Sequence, residues 1–271
     1  MLTFTTLASG STGNAALVSC GDTHILLDAG ISAKRITAGL RELDVPPTAL
    51  SAILLTHEHS DHVSGLRVFT KKAGVPIYAT GPTCRWLYNR NSGNEIAGLM
   101  RAMEAGTGVQ IGSLWVESFP TPHDAAGSVG YSVAGDGGRV VLCTDLGYVT
   151  DEVCRAVKGC DLLVCEANHD EDWVRSGPYP YYLKQRVLGD YGHLSNEAGA
   201  ELAAFAVETG TRSVLLAHLS QTNNTPAHAY EAACLRLMSM GCNPERDISL
   251  SVAPANTLGS TISLGKEGAV C

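Results

Sequence analysis

Residues 56–62 read Thr-His-Glu-His-Ser-Asp-His, directly after the apolar run Ala52-Ile53-Leu54-Leu55. In an extended chain residues i and i+2 face the same way. His57 and His59 therefore leave a buried strand on one side, and Asp61 and His62 open the next helix and can turn back toward the same point. Three imidazoles and a carboxylate so close together form a borderline-to-hard donor set suited to Zn²⁺, Mn²⁺ or Fe²⁺. A chain carrying this segment must gather a strand end, a turn and a helix start around one place. The bland alternative is a polar surface loop after a strand.

Three further residues repeat the theme. His123 follows the expected strand Leu114–Phe119, Asp145 follows Arg139–Thr144, and His218 follows Ser213–Ala217. Layered α/β proteins build their sites at the C-terminal ends of strands. Taken singly, each reads more readily as a hydrogen-bonded structural residue. Beside the histidine cluster, the three read as additional ligands.

The wider pattern is one of short strands early (Leu2–Leu7, Ala15–Cys20, His24–Asp28, Leu50–Thr56) with a helix capped by Ser32 between the last two. A second group of strands covers Leu114–Thr144, and strands then alternate with helices to Val252. Two blocks, each of strands followed by helices, predict two packed sheets with helices outside. With no Pro- or Ser-rich linker, residues 1–271 read as one domain. Asn89–Gly98 reads as a loop, and no internal repeat of useful length is visible.

The formal net charge is −8, which excludes a globally basic nucleic-acid binder but not a local basic groove. An acidic balance also suits a protein that holds metal cations. The nine cysteines are odd in number and contain no CxxC. Several lie in apolar runs, as Cys143 and Cys165 do, so the expectation is reduced, buried thiols in a cytoplasmic protein. The opening Met1–Thr6 shows neither a basic nor an apolar signal region. No apolar stretch is long enough to span a membrane, so no membrane partner is expected.

Several segments together carry a family likeness: Leu7–Asn14, Leu26–Arg35, Thr56–Leu66, Pro122–Ala125, Thr144–Gly147, Glu166-Ala-Asn-His-Asp170, Gly192-His-Leu-Ser-Asn196 and Ala217–Asn224. The chain resembles the metallo-β-lactamase superfamily, in its nuclease branch of YycJ/WalJ-like proteins, with ribonuclease Z and PhnP phosphodiesterases more distant. The resemblance implies an α/β fold, the αββα sandwich, with two divalent ions per chain at one edge of the sheets. By the same resemblance His57, His59 and His123 hold the first ion and Asp61, His62 and His218 the second, with Asp145 bridging. Asp28 would orient a ligand imidazole; the alternative is a turn aspartate ahead of Gly30. Asp61 is counted with the catalytic groups as well as the ligands. His193 resembles the histidine that meets the scissile phosphate in ribonuclease Z-like enzymes, as phosphate contact or general acid, with Glu166 holding and polarising it. Its structural alternative is a neighbour of the helix start capped by Ser195. His169 either lines the pocket or packs.

On the substrate side, the Ser9–Asn14 turn, with Ser9, Ser11 and Asn14, either offers backbone N–H groups to phosphate or is simply structural. Tyr179–Arg186 mixes aromatics with Lys184 and Arg186, as a nucleic-acid strand requires; the alternative is a helix with tyrosines in the core and solvated charges. Two shared cations and an activated hydroxide would hydrolyse a phosphodiester by in-line attack on phosphorus. The resemblance implies that the substrate is DNA, degraded 5′→3′ in repair. The alternatives are a small-molecule phosphodiesterase of the cyclic-nucleotide type, another metallo-hydrolase on the same site, or a non-enzymatic repair-complex subunit. A homodimer is left open, and Ala253–Cys271 carries no functional signal.

Overall fold

The computed structural model describes residues 1–265, without the side chains of 91–94; Cys271 and the end of the Ala253–Cys271 segment lie outside the described residues. The strands are β1 Leu2–Ala8, β2 Ala15–Cys20, β3 Thr23–Leu27, β4 Leu50–Leu54, β5 Ile77–Thr80, β6 Met100–Met103, β7 Gly108–Ile111, β8 Leu114–Pro120, β9 Val129–Gly135, β10 Gly138–Cys143, β11 Leu162–Glu166, β12 Ser213–Ala217, β13 Ser249–Val252 and β14 Ile262–Leu264. The helices are α1 Ala33–Glu42, α2 Ser60–Val63, α3 Leu66–Ala73, α4 Gly81–Leu87, α5 Gly93–Ile96, α6 Asp151–Val157, α7 Glu171–Ser176, α8 Tyr181–Val187, α9 Asn196–Glu208 and α10 Pro226–Ser239.

The strands form two seven-stranded sheets, ordered β14-β1-β2-β3-β4-β5-β6 and β13-β12-β11-β10-β9-β8-β7. Both are mixed in the same way. In the first sheet the pairs up to β2–β3 are antiparallel and those from β3–β4 onward are parallel. In the second, antiparallel pairing runs from β7 to β10 and parallel pairing from β10 to β13. The fold thus repeats its topology although the sequence shows no repeat, and β3 corresponds to β10.

The period-two alternation of strand side chains decides the layering. Phe4, Val18, Ile25, Leu27, Ala52 and Leu54 face Val116, Tyr131, Val133, Val140, Leu142 and Val164 in the layer between the sheets. Their strand neighbours point outward. Leu17, Leu26 and Ile53 pack beneath Ile36 and Leu40 of α1 and Leu66 and Phe69 of α3. Val141, Cys143 and Leu163 pack beneath α6 and α9, and Val214 and Leu216 beneath α9 and α10. The result is the expected αββα sandwich.

Some expectations are corrected. Residues 88–99 form short helical turns ending in α5 and a 3₁₀ turn, not a loop. The helix that Asp61 and His62 were expected to open is divided into α2 and α3. Four elements went unread. Strands β6 and β7 are short and half exposed, so no apolar period shows; β14 has only three residues. Helix α6 did carry a signal, with Thr150 accepting from Val153 N and Asp151 and Glu152 in its first turn. Cys20, Cys143, Cys160 and Cys165 are buried as expected, whereas Cys84, Cys154, Cys234 and Cys242 are half-buried; all eight are free thiols. No helix among the described residues is long and apolar enough to cross a membrane.

Leu54 sits fully buried between the sheets, two residues before Thr56. Leu54→Ala should cost about 2–5 kcal/mol in urea unfolding, whereas Val68→Ala on the exposed face of α3 should shift the midpoint by less than about 0.5 kcal/mol. Equal effects would contradict this layering.

Candidate metal centre

Five parallel-strand ends meet where the two sheets share an edge. β3 leads into Asp28, β4 into Thr56 and His57, β10 into Asp145, β12 into His218, and β11 ends on Glu166. A strand continuing straight would aim these side chains at a sheet face. Instead Asp28, Asp145 and His218 adopt left-handed backbone, with φ of 58°, 60° and 58°, which turns each side chain over the edge. Such φ values are uncommon outside glycine, and Asp and His tolerate them better than most residues. Asp28 and Asp145 occupy the corresponding ends of β3 and β10, so the repeated topology supplies the same backbone device twice.

The expected ligands come together. His57, His59 and His123 form one group whose donor atoms lie within 4.8 Å of one another; Asp61, His62 and His218 form another; His57, His62 and Asp145 form a third that joins them. Asp145 stands between: one carboxylate oxygen is 3.4 Å from His62 Nε2, and the other is 3.5 Å from His218 Nε2 and 3.7 Å from His123 Nε2. Around them the remaining ring nitrogens are tied down. His62 Nδ1 donates to Asp28 at 2.8 Å, His123 Nδ1 to the Gly192 carbonyl at 3.0 Å, and His218 Nδ1 to Glu166 at 2.8 Å. Fixing Nδ1–H in this way leaves Nε2 as the lone-pair donor facing the site.

A family profile described as beta-lactamase superfamily domain matches residues 23–219. The chain belongs to the metallo-β-lactamase superfamily. It is 41% identical to exodeoxyribonuclease WalJ of Streptococcus pneumoniae over 224 residues, 82% of each chain. It is 38% identical to exodeoxyribonuclease YycJ of Bacillus anthracis over 223 residues, 82% of this chain and 84% of that one. Among solved structures, the metallo-β-lactamase fold protein YhfI of Bacillus subtilis shares the fold with a TM-score of 0.69 at 17% identity, covering 97% of this chain and 99% of the other.

Family and cluster together make this a divalent-metal site, and the charges agree. Burial, reinforced by His62, His123 and His59, pushes the His57 imidazole well below its ordinary pKa. His62 and His218 move the other way. Burial opposes their charge, but Asp145 and Asp28 raise His62 far above the usual value. Asp145, Asp61 and Glu166 raise His218 to about 10. Asp61 and Glu166 are held well below the carboxylate range despite burial, by His218 and His62 and by His193 and His218 respectively. The carboxylates thus call for positive charge in a place where solvent cannot provide it. His57 Nε2 and Asp145 Oδ2 are buried without any hydrogen-bond partner. Such orphans each cost about 1–3 kcal/mol or more, and a cation between them would satisfy both.

The remaining candidates separate. Glu166 is fully buried and does more than expected. Its Oε1 accepts from His193 Nδ1 at 2.9 Å and from His218 Nδ1, and its Oε2 accepts from the Leu146 and Leu194 N–H groups. Ser9 and Asn14 make contacts within the protein that the sequence does not reveal. Ser9 Oγ accepts from His218 N at 3.0 Å, while Asn14 accepts from Gly10 N and directs its amide at His62 Nε2, 3.1 Å away. Ser9 thus supports the His218 backbone, whereas Asn14 lies on the side of His62 that faces the site. The turn offers no ready anion nest, because the N–H groups of Ser9, Gly10, Ser11, Gly13 and Asn14 are already committed. The Ser11 side chain is exposed. His169 is buried with Nδ1 unpartnered and lies in none of the donor groups. Lys184 stands on α8, its ammonium donating to the Arg175 carbonyl at 2.7 Å, outside the cluster.

Three residues escaped the sequence reading. The Thr56 hydroxyl lies about 3 Å from Asp28 and from His57 Nδ1. Glu58, on the opposite side of the chain from His57 and His59, accepts from Ala126 N at 2.7 Å and from the Thr83 hydroxyl, anchoring the loop that carries His123. The alternation of residues 57–59 was the available signal for Glu58. Gly30 passes so close to Asp61 that a Cβ there would fall 1.6 Å from its carbonyl oxygen.

Asn tolerates left-handed backbone as Asp does, so Asp28→Asn removes the charge while keeping the turn. It should weaken divalent-metal binding about 10–100-fold in a chelator competition with little change in the far-UV spectrum. Unaltered affinity would show that Asp28 does not support His62.

Proposed function

We propose that this protein is a metal-dependent exodeoxyribonuclease that hydrolyses phosphodiester bonds at DNA ends. The observation that carries the reading is the 41% identity to exodeoxyribonuclease WalJ across 82% of both chains, with the donor residues grouped at one point. In this reading His57, His59 and His123 hold one divalent ion, Asp61, His62 and His218 a second, and Asp145 lies between them. Ions held there would lower the pKa of bound water toward about 7 and neutralise phosphodiester charge.

The rest falls to the chain's own groups. The leaving 3′- or 5′-oxygen needs a proton as the P–O bond breaks. His193 is the candidate donor, with its ring 5.0 Å from that of His123 and 5.3 Å from that of His218. Its Nδ1–H is held by Glu166, which fixes the ring and leaves Nε2 to face the substrate and deliver the proton. Glu166 also orients His218, so one buried carboxylate couples the proposed acid to a proposed ligand.

End-labelled single- and double-stranded DNA should be shortened stepwise with Mn²⁺ or Zn²⁺. Activity should vanish with chelator and in Asp145→Asn. The label that is released first as a mononucleotide reports the polarity. Cleavage of bis(p-nitrophenyl) phosphate with none of DNA would replace this reading by a small-molecule phosphodiesterase. His193→Ala should lower kcat on DNA about 10²–10⁴-fold yet spare most of the activity on the p-nitrophenyl diester, whose leaving group departs without a proton. Equal losses on both would remove His193 from the acid role.

A further inference from the structure

The exposed aromatic side chains among the described residues include Trp173, Tyr181, Tyr182 and Tyr191, all on the excursion between β11 and α9. Exposed apolar residues gathered in one place mark an interaction surface. Tyr181 and Tyr182 are 77% and 73% exposed, so the alternative that places the α8 tyrosines in the core fails for these two. Beside them lies a groove of about 390 Å³ lined by Arg175, Tyr179, Tyr181, Lys184, Gln185 and Leu188. Its lining holds Lys184, whose charge no carboxylate of the lining pairs, and Arg175, which pairs with Glu171 at 2.8 Å.

This surface is built into the wall of the metal centre. Arg186 of α8 grips Asp124 through Nε and Nη2, at 2.5 and 3.0 Å. Asp124 N donates to the Tyr191 carbonyl, the Gly192 carbonyl accepts from His123 Nδ1, and His193 N donates to the Val187 carbonyl. The end of α8, the Tyr191 turn, His123 and His193 therefore form one hydrogen-bonded unit. At about 1.5 Å per residue, Tyr181 stands roughly 7–8 Å along α8 from Arg186.

We propose that this groove, with Tyr181 and Tyr182, is a stacking track for single-stranded nucleic acid, which runs along α8 and past Tyr191 to the metal centre. Tyrosine rings accept unpaired bases on their faces, and Lys184 supplies charge to the backbone; this combination binds single strands with little sequence preference. A duplex, with its bases already stacked, could not use the rings. The inference rests on the nucleic-acid reading above.

The test is fluorescence anisotropy with the metal-loaded protein and phosphorothioate oligothymidylates of two and eight nucleotides. Wild-type affinity should rise with length. The Tyr181→Ala/Tyr182→Ala double variant should bind the octamer at least about tenfold more weakly while holding the dinucleotide as the wild type does. Trp115→Ala, which removes an exposed ring on β8, is the control and should behave as wild type. Lys184→Gln should flatten the salt dependence of octamer binding. Matching melting temperatures exclude misfolding, because both tyrosines are exposed. Equal octamer affinity in the double variant, with DNA still degraded by the wild type, overturns the track and leaves the nuclease reading intact. A wild type that neither binds nor cleaves any oligonucleotide, yet cleaves the small diester, overturns both.

Discussion

The rest of the structure depends on holding buried carboxylates and imidazoles around one point. Asp28, Asp145 and Glu166 lie almost wholly out of solvent, as do His57, His62, His123 and His218. Left alone, such a cluster is unfavourable, because each unpaired charge or lone pair has lost its water. The fold makes it tolerable by pairing every outward ring nitrogen of the His62, His123 and His218 set with an oxygen, while His57 Nε2 and Asp145 Oδ2 are left without a hydrogen-bond partner, as a metal site requires. The raised His218 and His62 and the lowered Asp61 and Glu166 are the electrostatic imprint of that requirement.

This requirement also accounts for the architecture around it. No single strand can present seven donor residues to one point, since its side chains alternate between faces. Two sheets that meet at an edge bring five strand ends together, and left-handed residues at three of those ends re-aim the side chains. The strain of those residues, about 1–2 kcal/mol each, is offset by the packed layers beneath them. The repeated pairing pattern of the two sheets explains why Asp28 and Asp145 share a backbone conformation while one supports a histidine and the other faces the centre.

Much of this was legible in the sequence. His57 through His62 follow an apolar strand, and His123, Asp145 and His218 each follow another, so the strand ends pointed to the residues that cluster in the structure. The two packed sheets were legible in the two blocks of strands followed by helices, and the αββα layering in the family resemblance. What escaped had physical reasons. The left-handed turns are invisible because Asp and His do not announce φ as glycine does. Ser9 and Asn14 looked like a phosphate nest, but their partners, His218 N and His62 Nε2, are distant in sequence. Glu166 read as the holder of His193 alone, because its second contact comes from a strand 52 residues away.

The most direct test of the account is anomalous scattering from crystals of the metal-loaded protein, recorded at the edge of the bound metal. The account predicts two peaks, one among His57, His59 and His123 and one among Asp61, His62 and His218, with Asp145 between them. A single peak, or metal bound elsewhere on the chain, would contradict it.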